Sequence, residues 1–270
     1  MAVIIRGAGD IATGIALRLH RAGFQIIMTD LPQPTSIRRT VCFSEALRLG
    51  EVMVEDVRAR RTDSAREALD IAGAGEIAVV ADPTCALLPE LYPAALVDAI
   101  LAKRNLGTSR DMAPVVIGVG PGFTVGENVH CIVETNRGHN LGRVLYSGSA
   151  EPDTGIPGDI VGMTTERVLR APQTGIFLSR HDIGDHVKAG DVVATVEANG
   201  VSKEIRTVIS GVIRGLLRSG TPVTDRIKVG DVDPRDNTAC HHVSDKAFAI
   251  GGGILEAILG RFNRPCYIRR

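Results

Sequence analysis

The side chains with the most chemistry in this sequence lie between residues 114 and 159. An apolar run, residues 114–119, enters the turn Gly120-Pro121-Gly122. A second apolar run, residues 129–133, ends in Glu134, Thr135, Asn136, Arg137, Gly138, His139 and Asn140. An acid, two amides, a guanidinium and an imidazole thus follow directly on a strand, as a polar pocket at the carboxyl end of a sheet requires. Arg137 can grip a phosphate bidentately. Lys103 can add a point charge, with Asn105 beside it in a polar loop. Glu134 can accept from an adjacent amino and ring N–H pair, Asn136 and Asn140 can orient the remainder of a ligand, and His139 can donate a proton near neutral pH. Gly120 and Gly122 allow the backbone to approach closely. The plainer alternative is that Glu134 pairs with Arg137 and His139 caps a turn.

A second constellation opens the chain. Residues 3–6 read as a strand and an apolar-periodic helix runs to Leu19. Between them Gly7, Gly9 and Ala12 match G-x-G-x-x-[G/A]. A second strand, residues 25–29, ends at Asp30, about 20 residues on, where a ribose-binding acid belongs. This spacing offers an NAD(P) site and, with it, an oxidoreductase. Asp10 lies inside the turn. It can complement the helix dipole, which makes the bend structural, or it can face a bound pyrophosphate that it would repel. Both readings stay open.

These sites need elements to position them. Residues 45–48 and 64–69 read as helices, 76–81 as a buried strand and 91–103 as an amphipathic helix carrying Ala94, Ala95, Leu96 and Ile100. Alternating strands and helices give an α/β, Rossmann-like parallel sheet over residues 1–165. Beyond Pro157 the pattern changes to short strands with recurrent glycines. Residues 183–197 resemble the hammerhead of biotinyl and lipoyl carrier domains, and residues 210–223 continue the likeness. The hairpin tip reads Ala198-Asn199-Gly200, with no acceptor lysine, so a covalent carrier role is excluded. Residues 166–236 are therefore expected to form a small all-β barrel-sandwich domain. Ser244 suits an N-cap, and Gly251-Gly252-Gly253 interrupts the helix that follows. Three helical glycines cost about 2–3 kcal/mol against alanine, which close packing has to offset. The segment 237–270 is expected to return to the first domain.

Composition narrows the function. The 270 residues carry 31 basic and 31 acidic side chains, so there is no basic excess to attract nucleic acid or an anionic membrane. Aromatic residues make up 3% and Trp is absent, which disfavours base-stacking platforms. No membrane-spanning run and no leader pattern is read. The 5 cysteines, Cys42, Cys85, Cys131, Cys240 and Cys266, are scattered without a C-x-x-C pair, as in a reduced cytoplasmic protein. Cys240-His241-His242 is read as structural and not as a metal site, because successive side chains diverge. The oligomeric state, a homo-oligomer included, stays open.

Five segments together resemble the selenium-dependent molybdenum hydroxylase system proteins of the YqeB type. They are residues 5–14, 98–108, 117–158, 227–235 and 244–258, and the run from Glu134 to Arg143 is the most specific. A more distant likeness is to the XdhC accessory factors. The resemblance implies an accessory role in hydroxylase maturation, molybdopterin or its nucleotide form as the bound cofactor, and the hydroxylase apoenzyme as partner. It carries over no catalytic residue and leaves open whether the chain is an enzyme. A scaffold that docks the hydroxylase without a cofactor is a third expectation beside the cofactor-binding and NAD(P) readings.

Overall fold

The computed structural model describes residues 1–235 and 238–262. The chain divides into two units. The first takes Met1–Pro34, Cys42–Asp153 and the segment from Val243 onward. The second takes Thr35–Val41 and Thr154–His242. The boundaries at 165 and 237 expected from the sequence thus move to 153 and 243, and Thr35–Val41 belongs to the second unit. There the Leu216 N–H donates to the Ile37 carbonyl at 2.8 Å and Arg39 Nε to the Leu216 carbonyl at 2.8 Å.

In the first unit the strands are β1 (Ala2–Arg6), β2 (Gln25–Thr29), β3 (Glu51–Val54), β4 (Val57–Thr62), β5 (Ile77–Val80), β6 (Ala95–Asp98), β7 (Val115–Val119), β8 (Cys131–Val133) and β9 (Val144–Leu145). The helices are α1 (Asp10–Arg21), α2 (Ala46–Leu49), α3 (Ala65–Gly73), α4 (Leu88–Leu91) and α5 (Asp245–Phe262). The strands make one mixed sheet in the order β3-β4-β5-β2-β1-β6-β7-β8-β9. It is parallel from β4 to β8 and closed at each edge by an antiparallel partner. β5, β6 and β7 are buried along their whole length. Strands covered on both faces read as continuous apolar runs, without alternation.

β6 corrects one expectation. The helix foreseen over residues 91–103 is instead the short α4, a loop and β6. A run such as Ala94-Ala95-Leu96-Val97 cannot be assigned by periodicity alone. The residue before Pro93 is disfavoured in helical conformation and Tyr92 there ends α4, and pairing with β1 and β7 then takes the run as a central strand. The glycines of α5 correct another, since the helix runs through them unbroken. The Ser244 hydroxyl caps its first turn by accepting the Ala247 N–H at 3.2 Å. A Cβ on Gly251 would lie 3.0 Å from Arg18 Cβ and 3.1 Å from the Gly14 carbonyl oxygen. One on Gly14 would lie 2.5 Å from Ala247 Cβ, so α1 and α5 run parallel in close contact. One on Gly253 would collide with the Gly142 carbonyl. Close approach therefore offsets the helix-propensity cost, and α5 lies on the first unit as expected.

The second unit is built from two antiparallel sheets. One contains β10 (Val168–Arg170), β17 (Lys228–Asp233), β15 (Gly211–Leu216) and β12 (His186–Val187). The other contains β14 (Val201–Arg206), β13 (Val192–Ala198), β11 (Gly175–Ser179) and β16 (Thr221–Val223). Phe177, Val193, Val196, Ile213, Leu216 and Val229 join both sheets in one core. The β13–β14 hairpin turns at Asn199 and Gly200, with φ of 50° and 75°, the left-handed pair that an Asn-Gly turn supplies.

Cys42, Cys85, Cys131 and Cys240 are buried thiols, while Cys266 lies outside the described residues. Burial pushes the Cys131 thiol up to about 11. Only the thiolate attacks a disulfide reagent. Ellman's reagent at pH 8 is therefore expected to leave these four thiols unmodified in the folded protein and to titrate them all in denaturant. Among the described residues no helix is long and apolar enough to cross a membrane.

Candidate functional site

The carboxyl ends of β1, β2, β6, β7 and β8 open onto the loops that carry the candidate residues. Strand order reverses between β1 and β6, the switch point at which α/β sheets form a ligand crevice. Here that position holds a buried ion pair that motif reasoning missed. Arg6 and Asp98 end their strands in register and are 3% and 2% exposed. Arg6 Nη1 donates to Asp98 Oδ2 at 3.2 Å and to the Thr108 hydroxyl. Its Nη2 donates to the Pro83 and Leu106 carbonyls at 3.0 and 3.2 Å. The signal was present in the sequence, since each residue is a single charge closing an otherwise apolar strand.

Around this pair the glycine turn serves the protein itself. Gly7 has φ +96°, and a Cβ there would lie 2.8 Å from the Ala99 carbonyl oxygen. Asp30 Oδ2 accepts the Ala8 N–H at 2.8 Å and Oδ1 the Leu31 N–H at 2.7 Å, while burial pushes its carboxyl up. Gly9 caps α1 by backbone alone, and Asp10 stands in the first turn. The residues whose spacing suggested a ribose and a pyrophosphate are thus brought together, and both oxygens of Asp30 are engaged by backbone groups.

The loop after β8 is organised by Glu134, which is 2% exposed. Its Oε1 accepts the Thr135 and Asn136 N–H groups at 2.6 and 2.7 Å, and its Oε2 accepts the Glu151 N–H at 2.8 Å. This corrects the expectation that Glu134 receives an amino and ring N–H pair from a ligand, because its carboxylate is buried and already takes three backbone N–H groups. The alternative pairing of Glu134 with Arg137 is replaced as well, since Arg137 reaches Asp245 at 3.3 Å on the exposed surface. The outward acceptor is Glu151. Asn136 Nδ2 and Asn140 Nδ2 both donate to its carboxylate, which they hold below the usual carboxylate range.

Glu134, Asn140, Arg143, Ser149, Glu151 and Glu256 line a cavity of about 590 Å³, with Val144 and Leu145 as its apolar wall. The remaining expected residues lie outside that lining. Lys103 pairs with Asp153 at 2.5 Å. The Asn105 side chain closes its own loop on the Thr108 backbone at 2.8 and 2.7 Å. His139 is exposed, and its carbonyl accepts Arg143 Nε at 3.2 Å. Gly120 and Gly122 have positive φ, and their Cβ positions face Thr135 Oγ1 at 2.6 Å and the Arg104 backbone nitrogen at 2.6 Å. Both are glycine because the protein itself approaches closely there.

Sequence reasoning also passed over Lys246, half-buried in the first turn of α5. Desolvation lowers its pKa and Arg137 lowers it further, whereas Asp10, Glu134 and Asp153 pull it back. The parallel α1 and α5 also bring their positive helix ends together, with Asp10 and Asp245 in the first turns to offset them. A lysine in a first turn stands at the unfavourable end of the dipole, and that was the available signal. Because its folded pKa lies below the unfolded 10.5, the unfolded chain binds more protons in the interval between the two values, and stability rises with pH across it. Lys246→Met is therefore expected to raise the melting temperature at pH 7, and the gain should vanish as the pH approaches 10.5. A gain that persists above pH 10.5 would exclude charge as its cause.

In the second unit the Cys240 thiol points to the Ile213 carbonyl at 3.8 Å, and His241 and His242 are exposed. Among the described residues no cluster of three His, Cys, Asp or Glu side chains could hold a metal ion.

Residues 167–232 match the Biotin-requiring enzyme family of biotin/lipoyl domains. The chain is 54% identical over 258 residues to the uncharacterized protein YqeB of Escherichia coli (strain K12), covering 95% of this chain and 47% of that protein. The chain thus spans about half the length of the curated relative that it matches. Among solved structures, an aspartoacylase family protein from Mesorhizobium loti aligns over 86% of this chain and 84% of that one at 15% identity, with a TM-score of 0.29. The urea carboxylase of Kluyveromyces lactis aligns over 32% of this chain and 8% of that one at 25% identity, with a TM-score of 0.25. Scores this low do not relate the folds.

Proposed function

We propose that this chain, similar to YqeB along nearly its whole length, is an accessory protein that binds molybdenum cofactor or a related nucleotide during maturation of selenium-dependent molybdenum hydroxylases. The parallel sheet with its strand-order reversal is of Rossmann-like type in this reading, and ligands of such sheets bind at the carboxyl edge. The observation that carries the proposal is the cavity on Glu151. Its volume of about 590 Å³ falls within the usual range for a small-molecule site. Its acceptors suit a ring edge rich in N–H donors: the ionised Glu151 carboxylate, fixed by two amides, and the Asn140 amide oxygen. A phosphorylated end would lie toward Arg143 in the cavity wall and toward Lys246 and Arg137, two cations that act on each other. The bound group would bring the metal and its own ligands. The chain's residues bind, orient and shield it.

Calorimetric titration of the folded protein with molybdopterin released from a hydroxylase tests this. Saturable heat is expected, weakened about tenfold in Glu151→Gln, as for the loss of one charge-assisted hydrogen bond. No heat would overturn the proposal.

A second reading, an NAD(P)-dependent oxidoreductase, is favoured by the glycine turn that opens α1 and by Asp30. It requires Asp30 to leave Ala8 for a ribose, and the Arg6–Asp98 pair fills the switch point. A melting temperature raised by millimolar NAD(H), and no longer raised in Asp30→Ala, would support it. If NAD(H) leaves the melting temperature unchanged, this reading fails.

A further inference from the structure

At the opposite edge of the same sheet, a groove of about 660 Å³ lies at the amino ends of β6 and β7. It is walled by Leu88, Pro89, Tyr92, Pro93, Met112 and Pro114. Leu88 and Met112 pack against the core and make a fixed floor. Tyr92 ends α4 in the left-handed region, with φ 42° and ψ 58°. That position ordinarily takes glycine, and a bulky side chain there strains the backbone. The ring recovers nothing from burial, because Tyr92 is 85% exposed. Strain that no packing compensates marks a functional position. Three prolines keep the walls rigid, so little order would be lost on binding.

We infer that this groove docks a proline-rich, polyproline-II segment that carries a basic residue. Polyproline-II ligands bind aromatic-lined grooves with their backbone carbonyls open to donors, and the Tyr92 hydroxyl is such a donor. The charge of the rim selects the basic residue. Asp111 lines the groove, its carboxyl held below the usual range by the Ser109 hydroxyl, and the exposed Glu90 lies on α4 beside Pro89. The groove is independent of the Glu151 cavity, so either proposal can fail alone.

The test is fluorescence anisotropy of the full chain with a labelled ten-residue peptide containing two Pro-x-x-Pro repeats and a terminal arginine. Two controls accompany it: the same peptide ending in glutamate, and a shuffled peptide without the repeat. Saturable binding of the arginine peptide is expected, with the glutamate and shuffled peptides at least about fivefold weaker. Tyr92→Ala should weaken binding about tenfold or more. Tyr92→Gly should do the same while melting no lower than the wild type, because glycine relaxes the strained turn. That variant separates lost recognition from lost folding. Equal binding by the three peptides, no binding at millimolar peptide, or unchanged affinity in folded Tyr92→Gly would overturn the inference. So would concentration-dependent self-association abolished by Tyr92→Gly, which would assign the groove to a second copy of the chain.

Discussion

Asp98→Ala is expected to destabilise the protein by about 3–5 kcal/mol, the usual cost of removing one partner of a buried ion pair. Arg6 would keep its charge at 3% exposure and lose the Asp98 carboxylate. Thr108 would lose the acceptor of its hydroxyl, now 2.5 Å from Asp98 Oδ2, and Ile100 the acceptor of its N–H at 3.2 Å. The Pro83 and Leu106 carbonyls would remain, but neutral acceptors do not balance a buried guanidinium. Asp98→Asn keeps an acceptor and should cost less. The double variant Arg6→Met/Asp98→Leu should recover most of the loss, because apolar replacement of a whole buried pair is often neutral. Urea unfolding measures all three. A loss below about 1 kcal/mol for Asp98→Ala would show that water reaches Arg6 and that the switch point is open, in favour of the dinucleotide reading.

Two neighbouring glycines of α5 are expected to respond to substitution with opposite signs. Gly252 has nothing near its Cβ position, so Gly252→Ala should stabilise by up to about 1 kcal/mol through helix propensity alone. Gly253→Val should destabilise by about 3 kcal/mol, because overpacking then outweighs propensity. Its side chain would meet the Gly142 carbonyl and lie 2.9 Å from Val133 Cγ1. Gly142 also donates its N–H to the Glu134 carbonyl at 2.9 Å, so pushing it away opens the loop that forms the cavity wall. Gly253→Val should therefore also weaken any ligand of the Glu151 cavity, whereas Gly252→Ala should not. Thermal melts of the two variants, each read beside a titration, check both signs. If both substitutions stabilise, α5 does not pack on Gly142.

The sequence alone determined the features that local backbone chemistry controls. Apolar runs bounded by glycine and proline marked β1, β2, β5 and β7. Asn199-Gly200 marked its hairpin. Ser244 marked the start of α5. Each of these depends on a few adjacent residues. β6 was misread as helix because a buried parallel strand shows no alternation and its partners lie far along the chain. The candidate site suffered the same limit more severely. Glu134, Asn136 and Arg137 are adjacent in sequence, yet one braces its own loop, one fixes Glu151 and one pairs with Asp245. Hydrogen bonds to residues up to 108 positions away made those choices. Residue type lists what a carboxylate or a guanidinium can do. Only the fold brings up the competing backbone N–H groups and opposite charges, and a buried polar group must satisfy those before it can serve a ligand.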